Sequence, residues 1–347
     1  MATATPKVSV CIPVFNGANY IAASIDSVLG QTFEDFELIV CDNCSTDGTA
    51  DIVRSYRDPR VSYTRNAMNL GVAGNFNRCL ELARCEYVCI WHHDDIMLPE
   101  NLELKVRVLD QRPSVGFVHS NILLIDGEGR PLERQWNADS SRDYIEPGLS
   151  VFRRYVAHML TGVGMIFMGA VVTRRVCYER LGGFLTELPN CHDNEMWMRI
   201  ALYYDVACLA TPLVKWRQHA ASTSNASVGL QGAHSLQQHY DAIRMVCRNH
   251  SHRIPDHAAL YRQTTGRFGR KALEEGWEAF HRRRFALSRA YVWKAARIHP
   301  RVVACRGFWS LAARLAAGAQ GGRLYRALRE AVRRARDKGR RFSRHYH

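Results

Sequence analysis

KVSVCIPVFNGANYIAASIDSVLGQTFEDFELIVCD, residues 7–42, decides the architecture. Val8, Val10 and Ile12 alternate within a continuous apolar run, the pattern of a buried strand. Tyr20, Ile21, Ser24, Ile25, Val28 and Leu29 then recur at mostly helical spacing, and FELIVCD (Phe36–Asp42) is apolar again. Strand, helix and strand at this spacing predict a parallel βαβ unit. Ligands of such sheets gather outside the carboxyl ends of the strands. Asn16 and Asp42 fall at two of those ends.

Outward from this unit the rhythm continues. STDGTADIVRSY has a helix start in Ser45, Thr46 and Asp47. RVSYT, the segment around GNFNRCLELA, EYVCIW, PENLELKVRVLDQ and VGFVHS extend the alternation to about residue 120. Between Ile122 and Gly148 the pattern loosens, with turn signals at DGEG and EPG. GMIFMGAVVT predicts a further strand, RRVCYERLGGF and CHDNEMWMRIALYY two helices, and VACLA and LVKWRQH two closing strands. Beyond about Ser227 only helical patterns remain. The expected organisation is an α/β domain over 1–225, a helical extension over 226–320 and a basic amphipathic tail over 321–347.

Composition sets the outer limits. The 347 residues are enough for one large domain with an appendage. No apolar run approaches the ~20 residues that cross a bilayer. MATATPKVSVCIP lacks a basic segment followed by an apolar one, so no signal peptide is expected. Eleven cysteines without a framework, several inside apolar runs, read as reduced thiols of a cytoplasmic protein. The net charge of +14 is uneven: Arg323 to His347 holds ten Lys/Arg against Glu330 and Asp337, a local +8.

The candidate chemistry centres on WHHDDIM, Trp91 to Met97. Adjacent carboxylates at a strand end, Asp94 and Asp95, suit Mg²⁺ or Mn²⁺ with phosphate oxygens completing the shell. His92 and His93 raise zinc, but zinc helices set histidines four apart in H-E-x-x-H, which is absent. On this segment alone the two acids serve equally well as helix caps. Asp42 can accept a nucleobase N–H or shape a turn. Cys41 and Cys44 form a lone C-x-x-C without a second pair, which argues against structural zinc. Asp193 and Glu195 open a helix and gain from its dipole whatever else they do. Arg217 suits a diphosphate and His219 a metal or phosphate. No G-x-x-x-x-G-K-[ST] or G-x-G-x-x-G loop occurs.

Taken in order, CIPVFN, VCDNCSTDGT, NLGVAGNFN, HHDD, LGGF…HDNEMWMR and WRQHAAS run from residue 8 to 222. In this ordered set the chain resembles the family 2 glycosyltransferases, inverting enzymes of GT-A fold. The resemblance implies a Rossmann-like, mostly parallel sheet with helices on both faces. It implies that Pro13, Phe15 and Asn16 wall the nucleotide pocket, with Phe15 near the base. Asp42 would hold uracil or thymine through N3–H, and Asn69, Gly71 and Asn75 would line the donor pocket. Asp94 and Asp95 match the D-x-D element, one facing the ribose and one the metal. Asp193 matches the general base, and Arg217 and His219 the closing R-x-H element, with His219 a further metal ligand. His92 stands where the fuller motif has an acid, His192 where an acid usually precedes the base, and Cys44 where glycine is common.

The implied reaction is metal-dependent, inverting transfer of a sugar from a UDP- or dTDP-sugar to a hydroxyl, with Mg²⁺ or Mn²⁺ as cofactor. Processive members carry Q-x-x-R-W and several membrane spans; this chain has neither, so single additions are expected, onto a lipid-linked or cell-surface glycan. In the tail, Leu324, Leu328 and Val332 fall four apart with arginines opposite, a helix suited to an anionic membrane surface through 323–347. That places the protein in the cytoplasm, peripheral on the inner face of the membrane. No nucleic-acid recognition fold is evident. Two rivals remain: a sugar nucleotidyltransferase, which would carry a glycine-rich basic loop where this chain has CIPVFNGANY, and a non-catalytic scaffold of the same fold.

Overall fold

The computed structural model describes residues 5–132, 141–161, 165–188, 190–220 and 233–317. The chain divides into two compact units, Met1–Tyr155 with Gly164–Ala226, and Val156–Val163 with Ser227–His347.

The first unit is built on one sheet. Its opening strands are β1 (Val8–Val14), β2 (Phe36–Asp42), β3 (Val61–Arg65) and β4 (Tyr87–Ile90). The later ones are β5 (Ile96–Met97), β6 (Val115–Ile125), β7 (Tyr144–Glu146), β8 (Val171–Arg174) and β9 (Asp205–Arg217). Their order is β3-β2-β1-β4-β8-β6-β9-β5, with β7 paired to β9. The half that residues 7–42 begin is parallel: β1 pairs in parallel with β2 and β4, and β2 with β3. β8 enters antiparallel between β4 and β6, and β5 and β7 run antiparallel to β9. β6 and β9 form a further parallel pair. The sheet is therefore mixed, parallel where the crossovers are helical.

Helices cover both faces because the buried strands are apolar on both. Val8, Val10 and Ile12 pack with Ile21, Ile25 and Val28 of α1 (Ile21–Leu29), Val53 of α2 (Thr49–Ser55) and Leu102, Val106 and Leu109 of α4 (Asn101–Gln111). The other parity faces α3 (Gly71–Leu82), where the Cys11 thiol donates to the Cys79 carbonyl at 3.6 Å. α5 (Gly148–His158), α6 (Arg175–Leu181) and α7 (His192–Ala201) follow.

Two expected elements differ. VACLA and LVKWRQH join as one strand, β9, which absorbs Thr211 and Pro212 in an irregularity: the register to β6 shifts on both sides of Asn121. A proline cannot donate to the ladder, so it sits at a bulge rather than ending the strand. GMIFMGAVVT yields a strand only from Val171, because Met168–Ala170 turns as a 3-10 helix first.

The second unit contains α8 (Ala233–Asn249), α9 (His257–His281), α10 (Phe285–Ile298) and α11 (Arg306–Ala317). Small residues of α9, Gly266, Gly269, Ala272, Gly276 and Ala279, lie on its buried side. A Cβ on Gly269 would stand 2.4 Å from the His299 Cβ, so the approach there is at backbone distance. Ser288 donates to the Gly276 carbonyl at 2.7 Å, and Phe268, Tyr291, Val292, Phe308 and Leu311 are buried. The tail, with its expected amphipathic helix, lies outside the described residues.

Candidate active site

Of the expected site residues, Pro13, Phe15, Asn16, Asp42, Asp94 and Asp95 lie at or just beyond the ends of β1, β2 and β4, Asn69, Gly71 and Asn75 at the start of α3, Arg217 and His219 at the end of β9, and Asp193 in α7. Two loops are laced together beyond β1 and β2. Asn16 adopts a left-handed backbone (φ 53°), which asparagine tolerates, and its Oδ1 accepts the Thr46 N–H at 2.8 Å. The Asn16 and Gly17 N–H groups donate to Ser45 Oγ and Thr49 Oγ1, both at 2.9 Å. Asp47 accepts the Ala18 N–H at 3.0 Å. A side chain at Gly17 would meet the His93 ring at 2.6 Å, so a glycine is required beside that histidine. Pro13 lies inside β1 opposite Cys41, while Phe15, just past the end of β1, is 46% exposed.

Asp42 is fully buried at the end of β2. Its Oδ1 accepts the Ser45 N–H at 2.8 Å and its Oδ2 the Tyr63 hydroxyl at 2.5 Å. Asn43, beside it, ties the end of β2 to the start of α3. Its amide N–H groups reach Asn69 Oδ1 and the Gly71 carbonyl, and its Oδ1 accepts from Leu70 N–H and Asn66 Nδ2. Asn69 is exposed and Gly71 opens α3 with φ 72°. Asn75 stands one layer behind, buried, with its amide engaged by Asn66, the Cys41 thiol and the Cys41 carbonyl. Cys44 also has a left-handed backbone (φ 69°), which is why a glycine suits that position.

Beyond β4, His92, Asp94 and Asp95 offer three ligand atoms within 4.8 Å of one another, and this is the metal-competent cluster among the described residues. Asp95 has no exposure. Its Oδ1 accepts the Arg217 backbone N–H at 2.9 Å, and its Oδ2 shares a hydrogen bond with His92 Nδ1 at 3.1 Å. Burial pushes the Asp95 carboxyl up to about 6, against the pull of His92 and Arg217. Burial also works against charge on Asp94, but His93, His92 and His219 outweigh it and hold that carboxyl below its ordinary value. His92 is raised: burial opposes its charge, and Asp95, Asp94 and Asp193 together overcome it. Two carboxylates and one imidazole fit a cation of the Mg²⁺–Mn²⁺ class, with room in the shell for oxygens from a ligand.

The closing strand braces this cluster. The Arg217 Nε donates to the Asp94 carbonyl at 2.8 Å and Nη1 to the Gly127 carbonyl at 2.9 Å, beneath the Tyr20 ring at 4.9 Å. His219 Nε2 meets Asp94 Oδ2 at 2.9 Å, so His219 is joined to the cluster through Asp94. The expectation from sequence had His219 among the ligands and His92 as a departure from the acidic pattern; the geometry gathers His92 directly. Tyr20, Tyr63 and Asn43 are not among the expected site residues, since nothing in their spacing marks them; the fold brings them to Arg217, Asp42 and Asn69.

Asp193 lies in the first turn of α7, half-buried, its Oδ1 accepting the Asn194 N–H at 2.7 Å. α7 is held by Glu195 and Arg199, a buried ion pair at 2.9 Å. Arg199 also donates to the carbonyls of Gly182 and Gly183, fixing the LGG turn. His192 is buried between Phe76 and Phe184 and meets the Leu188 carbonyl at 3.1 Å, the place of a packing residue.

Comparison with known proteins agrees with this geometry. The family model described as glycosyl transferase family 2 matches residues 9–177. A Mycobacterium tuberculosis protein, MT1568, is 30% identical over 231 residues, 65% of this chain and 71% of that one. The Staphylococcus aureus TarS fragment 1–349, solved with UDP-GlcNAc, shares the fold with a TM-score of 0.61 at 17% identity, over 95% of this chain and 92% of the fragment. The chain covers 42% of a longer TarS structure. A mannosyltransferase from Pyrobaculum calidifontis, solved with GDP-Man and Mn²⁺, aligns with a TM-score of 0.51 at 21% identity, over 97% of this chain and 87% of that one. The architecture is therefore the GT-A type, followed by a helical region.

Proposed function

The chain belongs to glycosyl transferase family 2, and from that premise we propose that it moves one sugar per turnover from a UDP- or dTDP-sugar to an acceptor hydroxyl, inverting the anomeric centre with the help of Mg²⁺ or Mn²⁺. The observation that carries this reading is the His92–Asp94–Asp95 cluster, pinned by Arg217 at the mouth of the sheet.

Each residue has a task. Phe15 offers its ring to the base, and Asp42, fixed by Ser45 and Tyr63, forms the wall that reads it. Pro13, Asn16, Asn69, Gly71 and Asn75 hold the two loops that frame the nucleotide. Asp94 and Asp95, with His92, would hold the cation, and when bound it would supply positive charge against a diphosphate leaving group. His219 steadies Asp94. Arg217 adds its charge to the same region while its N–H groups keep the loop in place. Asp193 takes the proton from the acceptor hydroxyl. The neighbour solved with GDP-Man and Mn²⁺ supports a divalent cation, and the one solved with UDP-GlcNAc supports a uridine donor.

The acceptor is a glycan, lipid-linked or on the cell surface. No helix among the described residues is long and apolar enough to cross a membrane. No disulfide forms among the described residues, in keeping with thiols kept reduced in the cytoplasm. The tail, 323–347, would add a contact to an anionic membrane.

Asp193→Asn tests the assignment of the base. Release of nucleoside diphosphate from UDP- and dTDP-sugars should fall at least about 100-fold while nucleotide binding persists. Unchanged release would remove Asp193 from the reaction, and no release from the parent chain would favour a scaffold.

A further inference from the structure

The second unit carries a surface that the donor site does not use. On α10 the residues facing solvent are Phe285, Ala286, Arg289, Trp293 and Arg297. Phe285 is 43% and Trp293 48% exposed, and Trp309 on α11 is 37% exposed. Positions 285, 289, 293 and 297 are four apart, so they form one stripe along the helix in which aromatic and arginine alternate. Phe285 and Trp293 are separated by about 12 Å of helix. The opposite side of α10, Ser288, Tyr291, Val292, Ala295 and Ile298, is buried.

Charge along α10 and the segments that flank it in sequence has one sign. Between Ala279 and Ala317 there are nine Lys/Arg and no acid. Arg282 pairs with Glu278 at the end of α9. Among the described residues Arg283, Arg284, Arg289, Arg297, Arg301 and Arg306 make no ion pair. Two large rings on one exposed helix face mark a surface that a partner can cover, and arginines at the same spacing favour an anionic one. Aromatic rings settle at the boundary of headgroup and acyl chain, and arginines reach lipid phosphates from the same depth.

We propose that α10 is a membrane-docking helix that lays Phe285 and Trp293 into an anionic bilayer while Arg289 and Arg297 pair with its phosphates. This surface is distinct from the tail and stands whether or not the donor reading does.

Flotation of the full chain with vesicles tests it, comparing phosphatidylcholine alone with phosphatidylcholine mixed with phosphatidylglycerol. The parent should partition onto the mixed vesicles and leave them at high salt. Arg289→Glu with Arg297→Glu should lower that partition at least about tenfold, since each basic residue near the surface is worth roughly a fivefold change. Phe285→Ser with Trp293→Ser should lower it several-fold with the tail intact. Quenching by brominated phosphatidylglycerol, as the difference between the parent and Trp293→Phe, should place that indole in the bilayer, and circular dichroism checks that the variants fold. Equal partition of the parent and both double variants would overturn the proposal. So would light scattering that finds a dimer which the same substitutions dissociate, because a second copy would then be what covers the stripe.

Discussion

Lys105 is buried; among the described residues no acid pairs with it, and its ammonium donates to Asn101 Oδ1 at 3.0 Å. Burial lowers its pKa to about 7. Between that value and the ordinary 10.5 the unfolded chain binds a proton that the folded one does not, so stability contributed at this site rises with pH across the window. His119 behaves alike at the acid end: burial takes it to about 3, and stability falls as pH drops from 6.5 toward that value. Lys105→Met should abolish the alkaline part. Urea unfolding of parent and variant should differ by an amount that changes by up to about 1.4 kcal/mol per pH unit between pH 7 and 10.5. A difference independent of pH would mean that Lys105 is charged in the folded protein. At this scale the sequence was informative where residue type carries chemistry, as at Asp94 and Asp95. It was silent on Arg217 as a brace, because three of its bonds, to Asp95, the Asp94 carbonyl and the Gly127 carbonyl, join segments about a hundred residues apart.

Elements were legible in proportion to how local their determinants are. β1, α1 and β2 followed from alternation and helical spacing within residues 7–42. The strand β8 was also legible in GMIFMGAVVT, but its start was not, since Met168–Ala170 turns as a 3-10 helix before Val171, a choice made by packing rather than by pattern. β9 is a single strand because its partner β6 tolerates the irregularity opposite Asn121. Helix contacts also set hidden constraints. Gly148 begins α5 against the end of α7, where an added Cβ would stand 1.9 Å from the Tyr204 carbonyl oxygen and 2.1 Å from that of Ala201. Backbone cannot step aside cheaply, so Gly148→Ala should cost about 1–3 kcal/mol in urea unfolding. An unchanged midpoint would show that α5 can move away freely.

For the molecule as a whole, the order of six short motifs carried more than any one of them: each alone has a structural explanation, and together they match a family. The same chain departs from the acidic pattern at His92, and the structure gives a physical account of that change, since the imidazole bonds Asp95 and keeps three ligand atoms within 4.8 Å. What the sequence could not convey was the surface of α10, because exposure depends on which side of the helix faces α9. The central claim is that this cluster holds a divalent cation against a uridine or thymidine diphosphate. Calorimetric titration with UDP, dTDP, GDP and CMP, each with and without Mn²⁺, tests it most directly. The expected result is Mn²⁺-dependent binding of UDP or dTDP that disappears in Asp95→Ala. Binding of no nucleotide by the folded protein, or binding indifferent to both Mn²⁺ and Asp95, would contradict it.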